Sequence, residues 1–263
     1  MQRVLVTGAG RRVGRAIVED LAATGWSVAI HANASRADAD DLAGAIRAAG
    51  GQAVAFEADL TDVGRVESLI DEASNALNGP LDALVNNASL FDLDRPDTMT
   101  AKSWDAHVAV NLRAPALLCR DFARQLPEGA GGCIVNLLDQ KVYNLNPDFF
   151  SYTISKYALL GLTQTLAVAW SDRVRVCGVA PGLILPSANM SEATFRRMHS
   201  ATPLGRGAEV DDVVAAVRLI LETPGLDGQV ITVDGGESLS WRARDVLFDP
   251  VVAGAPGSEG GGQ

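Results

Sequence analysis

The chain is poor in cysteine, histidine, positive charge and long apolar runs, and each shortage removes a class of function. Its three cysteines, Cys119, Cys133 and Cys177, are scattered, odd in number and set in apolar contexts, so neither a disulfide framework nor a CxxC metal site is expected. They read as core fillers. The three histidines, His31, His107 and His199, have no partner at ligand spacing, which makes them structural and predicts no metal. Lys and Arg number 22 against 32 Asp and Glu, and the net charge of −10 speaks against nucleic acid or an anionic membrane as partner. No apolar run approaches the roughly 20 residues of a membrane helix. Met1 leads straight into the strand-like RVLVTG rather than a signal peptide, so a cytoplasmic location is expected. No linker, composition shift or repeat divides residues 1–248, which predicts one domain. The remainder, 249–263, ends in GAPGSEGGGQ, too short of apolar groups to offset its ordering entropy, and is expected to be a flexible tail.

Hydrophobic residues make up 48% of the chain and fall in a regular alternation. Short Val- and Ile-rich runs at 3–8, 27–32, 53–58, 82–88, 133–138, 174–181 and 229–236 read as seven strands. Amphipathic stretches such as GRAIVEDLAATG and VDDVVAAVRLILET lie between them, several closed by glycine. Strands apolar on both faces and alternating with helices predict an α/β fold, a doubly wound seven-stranded parallel sheet with helices on both faces.

VLVTGAGRRVGRAIVEDL is a strand, a glycine-rich turn and the start of a helix. Gly8, Gly10 and Gly14 let the backbone approach a pyrophosphate, whose charge a helix N-terminus favours, so a dinucleotide is expected. The end of the second strand decides which one. An NAD enzyme usually places an acid there for the ribose 2′-hydroxyl, whereas a 2′-phosphate needs cations. This chain has Asn33, Ala34 and Ser35 followed by Arg36, with Arg11 and Arg12 inside the turn, which predicts NADP(H).

Ligands of such sheets sit beyond the strand C-termini. That edge should carry Asn87, Ser89 and Phe91 after the fourth strand and Asp139 after the fifth. Tyr152 and Lys156, four apart, share one face of the helix holding YTISKYALLGL. An ammonium beside a phenol is expected to lower its pKa and make Tyr152 a proton donor or acceptor near neutrality.

Over about residues 1–240 the chain resembles the short-chain dehydrogenases/reductases, single-domain Rossmann enzymes. The resemblance rests on TGAGRRVG, ADLTD, NNAS, the asparagine of VAVNLRAP, YTISK, APG at 180–182 and VDGG at 233–236. It implies hydride transfer from a nicotinamide, with Tyr152 supplying the proton, Lys156 holding the nicotinamide ribose and Asn111 positioning a relay water. It implies cofactor contacts from Gly8, Arg11, Arg12, Val13, Gly14, Asn33, Ser35, Arg36, Asp59, Leu60, Asn87, Ala88, Ser89, Tyr152, Lys156, Pro181 and Gly182, and a homotetramer.

Two departures narrow it. Arg12 stands where the family usually has glycine, and Asp139 where it usually has serine, as in pteridine and dihydromonapterin reductases. There a phenylalanine at the position of Phe91 stacks on the pterin, so the resemblance implies a substrate site of Ser89, Phe91, Asp139 and Tyr152. Against it, Ala34 replaces an arginine such enzymes tend to carry, and 184–206, the expected substrate lid, holds no decodable signature. Chemistry agrees with the aspartate: an ionised carboxylate only accepts hydrogen bonds and would repel a developing alkoxide, but it suits N–H donors beside a C=N bond. The expected function is NADPH-dependent reduction of a pterin-type C=N. The rivals are a general carbonyl reductase acting on a sugar, steroid or acyl thioester, and a non-catalytic NADP(H) sensor.

Overall fold

The computed structural model describes residues 2–186, 190–240, 242–249 and 252. Seven parallel strands form one sheet in the order β3-β2-β1-β4-β5-β6-β7. They are β1 (Arg3–Val6), β2 (Ser27–Ala32), β3 (Ala53–Glu57), β4 (Ala83–Asn86), β5 (Gly132–Leu137), β6 (Val174–Pro181) and β7 (Val230–Val233). All seven expected strands are present. Several stop short of the expected ends because the chain leaves the sheet to build loops. After β4, for instance, Asn87 turns back so that its Nδ2 donates to the carbonyls of Thr7 at 2.8 Å and Gly8 at 3.0 Å.

The five central strands, β2, β1, β4, β5 and β6, are buried on both faces because helices cover both, while the edge strands β3 and β7 are half-buried. α1 (Arg12–Ala23), α2 (Arg36–Ala48) and α8 (Val210–Glu222) pack on one side, where Ile17, Leu42 and Val217 meet Val4, Ile30 and Val135. α3 (Val63–Ala76), α5 (Ala114–Gln125) and α6 (Phe150–Trp170) pack on the other, where Leu69, Phe122 and Ala167 meet Leu5, Leu84 and Val176. Two short helices, α4 (Ala101–Val108) and α7 (Glu192–His199), flank the ligand edge. Burial of these apolar faces, at about 25 cal/mol per Å² removed from water, is the main force holding the layers together. The three cysteines are free and buried, filling the core as expected.

Strand order reverses between the parallel neighbours β1 and β4: successive strands are added outwards to one side from β1 to β3 and to the other from β4 to β7. The splayed loops at that point leave the crevice where doubly wound folds bind ligands. Packing continues past the expected domain end at 248: Arg242 pairs with Asp249 at 2.8 Å, and Val252 is buried against Met198 and Val246. The rest of the expected tail, 250–251 and 253–263, lies outside the described residues. Among the described residues no helix is long and apolar enough to cross a membrane, and no group of three or more His, Cys, Asp or Glu could hold a metal ion.

Candidate active site

Two neighbouring cavities open on this crevice and share Arg12, Val13 and Ser89 in their walls. The first, of about 550 Å³, is lined by Gly8, Arg11, Arg12, Val13, Gly14, Asn33, Ser35, Asp59, Leu60, Asn87, Ala88 and Ser89, most of the residues expected to hold the dinucleotide. His31, buried on β2, shapes it. Its Nδ1 accepts from the Gly8 N–H at 3.1 Å and its Nε2 lies 3.0 Å from the Ala58 carbonyl. Burial holds the ring's pKa below its usual value, which favours the neutral ring that can accept from one backbone group and donate to the other.

Glycine is required twice in the turn. Gly8 has φ of +62°, and a Cβ there would lie 2.8 Å from the Ala88 Cα. A Cβ on Gly14 would lie 2.5 Å from Asn87 Nδ2 and 2.6 Å from the Gly8 carbonyl oxygen. The cradle therefore has room for backbone and ligand but not for side chains, the shape a pyrophosphate needs. Arg12 adopts φ of +55° where a glycine would be unstrained, a conformation that costs a side-chain-bearing residue of order 1–3 kcal/mol. It is held there partly by a hydrogen bond from its guanidinium to the Pro186 carbonyl at 3.1 Å, which spans the turn and the loop after β6.

The arginines divide. Arg11 lines the cavity while pairing with Asp38 at 2.6 Å, and Arg36 turns along α2 to pair with Asp40 at 2.8 Å and is absent from the cavity wall. An i,i+4 carboxylate on its own helix offers Arg36 a nearer partner than the crevice does.

The second cavity, of about 480 Å³, holds the expected chemical residues Ser89, Phe91, Asp139, Tyr152 and Gly182. β5 delivers Asp139, whose Oδ1 accepts from the Lys141 N–H at 2.8 Å. α6 delivers Tyr152, whose hydroxyl donates to Asp139 Oδ2 at 2.7 Å. The start of α6 is pinned by Asp94, which accepts from the Ser151 N–H at 2.9 Å and the Ser151 hydroxyl. Burial works against the charge on Asp94, but hydrogen bonds from Ser103 and Ser151 outweigh it and keep the group acidic.

Lys156 is buried one turn further on, its Nζ donating to the Leu137 carbonyl at 2.7 Å and lying 5.7 Å from the Tyr152 ring centroid. This arrangement reverses the expected effect on Tyr152. Burial, then the charge and hydrogen bond of Asp139, push the phenol well above its ordinary value. Burial also pulls Lys156 down to about 8, with Asp139 acting the other way, and pushes the Asp139 carboxyl up. The phenol therefore keeps its proton at neutral pH, with its hydroxyl directed at Asp139 Oδ2.

Asn111 lies in a π-helical turn, Ala109–Arg113, between α4 and α5. Such turns often mark functional positions. Its Oδ1 accepts from the Leu90 N–H at 2.8 Å and Ser89 Oγ at 3.3 Å, while its Nδ2 donates to the Leu90 carbonyl at 2.9 Å and Ser155 Oγ at 3.0 Å. All four hydrogen-bonding positions of the amide are thus filled by protein. The side chain braces the loop after β4 against α6.

Phe91 is not a core aromatic. It is 42% exposed, stacks on Phe149 at a centroid distance of 4.2 Å, and meets Tyr152 edge-on at 4.6 Å. Phe149 has φ of +57°, directly before α6, a conformation sequence reasoning did not anticipate.

Sequence reasoning also missed the far wall, built by Gln140, Lys141, Glu237, Asp245, Val246 and Leu247. Lys141 Nζ pairs with Asp245 at 2.5 Å, both nearly buried. Buried Asp148, gripped by Arg95 at 2.9 Å and Arg244 at 2.7 Å, ties the segment around 242–249 to the site. Burial opposes the charge on Asp148, but Arg244, the Asp245 N–H and Arg95 prevail and hold it down at about 2. The only sequence signal was a run of alternating charges and apolar residues, RARDVLFD, following the last strand. His107 accepts from the Asp92 N–H, and His199 lies 2.9 Å from the Ala208 carbonyl, so all three histidines are tied to the backbone as expected of structural residues.

A family model described as short chain dehydrogenase matches residues 2–197. The chain belongs to the short-chain dehydrogenase/reductase family. A crystal structure of FolM alternative dihydrofolate reductase 1 from Brucella canis, complexed with NADP, shares 44% identity and superposes with a TM-score of 0.88, covering 93% of this chain and 97% of that one. A short chain dehydrogenase from Burkholderia cenocepacia in complex with NADP shares 33% identity with a TM-score of 0.83, covering 91% and 98%. Among curated relatives, the probable galactose dehydrogenase GalD of Rhizobium meliloti is 33% identical over 244 residues, 89% of this chain and 93% of that protein. An NADPH-dependent aldehyde reductase-like protein of Arabidopsis thaliana is 29% identical over 254 residues, 88% and 92%.

Proposed function

We propose that this short-chain reductase uses NADPH to reduce a C=N bond of a pterin-type ring. The coarser statement is firm: the chain is an oxidoreductase of its family and its cofactor is NADP(H), which the glycine cradle and the acid-free end of β2 suit. The finer one is carried by a single contact, the 2.7 Å hydrogen bond from the Tyr152 hydroxyl to the Asp139 carboxylate inside the second cavity. NADPH supplies the hydride when bound. Tyr152 holds the proton for the reacting nitrogen, and Asp139 accepts from neighbouring N–H groups and orients the phenol. Lys156, one of whose three N–H donors is spent on Leu137, is assigned to the nicotinamide ribose. Phe91, exposed in the same wall, offers an aromatic face to the ring. The likeness to proteins named alternative dihydrofolate reductase supports the pterin reading.

The names of the aldehyde reductase-like and galactose dehydrogenase relatives favour the second reading, a carbonyl reductase in which Asp139 replaces a serine without changing the chemistry. A panel of dihydrobiopterin, dihydromonapterin, dihydrofolate and ketones, read as NADPH oxidation, separates the two. Turnover with the reduced pterins is expected, and consumption with ketones alone overturns the proposal. A sensor would bind NADPH and reduce nothing. The exposed apolar residues Ile154, Tyr157 and Val168 of α6 support the homotetramer the resemblance implies.

The cofactor cradle gives a second expected result. In Gly14→Ala the new methyl clashes with the Asn87 amide and the Gly8 carbonyl oxygen, the turn must open, and the loss of about one hydrogen bond from its backbone to the dinucleotide raises the NADPH dissociation constant roughly 10-fold in a fluorescence titration. Unchanged affinity would show that the turn is not the binding element.

A further inference from the structure

The second cavity has a polar end that the reaction at Tyr152 does not use. Glu237 sits in the short 3₁₀ turn Glu237–Leu239 after β7, 7% exposed. It lies against the nicotinamide-side loop: a Cβ placed on Gly182 would be 2.8 Å from its Oε2. The other acids of the cavity are matched by protein groups, Asp245 by Lys141, and Asp139 by Tyr152 and the Lys141 N–H. Glu237 has no cation beside it among the described residues: its Oε1 receives a long 3.3 Å hydrogen bond from Gln140 Nε2, and the carboxyl also accepts from the Leu183 N–H. Gln140, 6% exposed, lines the cavity beside it, and its own Oε1 has no hydrogen-bond partner among the described residues. A buried carboxylate held by one backbone N–H and one long amide contact, next to a buried amide oxygen with no donor, has acceptor capacity that N–H groups of a ligand would satisfy.

Resting on the pterin reading, we propose that Glu237, oriented by Gln140, is a substrate-specificity residue that binds the amino-pyrimidine edge of the ring, opposite the atoms Tyr152 and Asp139 serve. A 2-amino-4-oxopyrimidine presents an amino group and an adjacent ring N–H as two parallel donors, the pattern a carboxylate accepts in a bidentate pair. Asp139 and Glu237 thereby divide the substrate, one acid at the reacting nitrogen and the other at the recognition edge. Burial, with the charges of Asp139, Asp245 and Asp234, pushes the Glu237 carboxyl up to about 7, while the Leu183 N–H acts the other way. The ionised form on which the pairing depends is therefore fully present only above neutrality, until the ligand's donors favour it.

Hydrogen bonds made equally to bound substrate and transition state raise KM when lost and leave kcat alone. In Glu237→Gln, which keeps size and shape, KM for a dihydropterin is expected to rise roughly 10- to 100-fold with kcat little changed, the range for hydrogen bonds to a charged group. The same ring lacking the 2-amino group keeps only the ring N–H for Glu237, so its KM should rise clearly less in the variant than that of the dihydropterin. Gln140→Leu, which removes the orienting amide but keeps the acid, should move the dihydropterin KM in the same direction by less. Equal effects of Glu237→Gln on both rings, or an unchanged ratio of their KM values in both variants, overturn the assignment while leaving the pterin reading intact. Absence of any pterin turnover by the unmodified enzyme overturns the pterin reading itself, and this assignment with it.

Discussion

Tyr152→Phe lowers kcat by roughly 10²- to 10⁴-fold, the range a positioned general acid contributes, while NADPH affinity and thermal stability stay close to those of the unmodified protein. The expected loss is chemical because the ring remains where Phe91 meets it edge-on and only the hydroxyl disappears. Asp139 keeps the Lys141 N–H as a partner, so the variant leaves no acid without a donor. The direction of the Tyr152 pKa adds a second mark. Burial, and after it Asp139, hold the phenol protonated well beyond its ordinary range, so ionisation of Tyr152 should not limit kcat at neutral pH in the reducing direction. A variant that loses NADPH binding and turnover together would instead give the residue a structural role.

Asp139→Ser tests the choice of substrate. A serine hydroxyl can donate to an oxygen that becomes an alkoxide, which an ionised carboxylate cannot do. Restoring the serine is expected to lower kcat/KM for a dihydropterin by about 10²-fold or more, because the phenol loses its acceptor and the substrate N–H groups lose theirs. Reduction of small ketones should be unchanged or improved. The measurement is a pair of kcat/KM values on one preparation, and a parallel fall in both would show that Asp139 merely holds Tyr152 in place.

The sheet was legible because its signal is repeated seven times: each strand carries the same two-sided apolar run, and each helix the same stripe. The dinucleotide end was legible for a local reason, since the turn between β1 and α1 contains its own glycines and arginines within one short segment. Tyr152 and Lys156 follow from helical spacing. Other parts depend on side chains meeting across long stretches of sequence, where no periodicity helps. Glu237 reaches Gln140 across 97 residues, and Asp245 meets Asp148 across a similar span. Arg36 shows what sequence leaves open: it places the residue just after β2 but does not reveal the pairing with Asp40 one helical turn on. The Tyr152 pKa went the other way for a similar reason: the four-residue spacing puts Lys156 on the same face, yet its Nζ points to the Leu137 carbonyl while the phenol points to an acid. For Asn111, only the count of its hydrogen bonds shows that its side chain braces the loop after β4 against α6.

The most direct test of the account follows the label from NADPH carrying deuterium at the transferred position into 7,8-dihydropterin, with the product read by mass spectrometry and NMR. One deuterium on the carbon of the former C=N bond, with the nitrogen proton drawn from solvent and the transfer slowed in Tyr152→Phe by the same factor as kcat, is the predicted result. NADPH oxidation that leaves the pterin unlabelled, or label found only in alcohols formed from ketones, would contradict it.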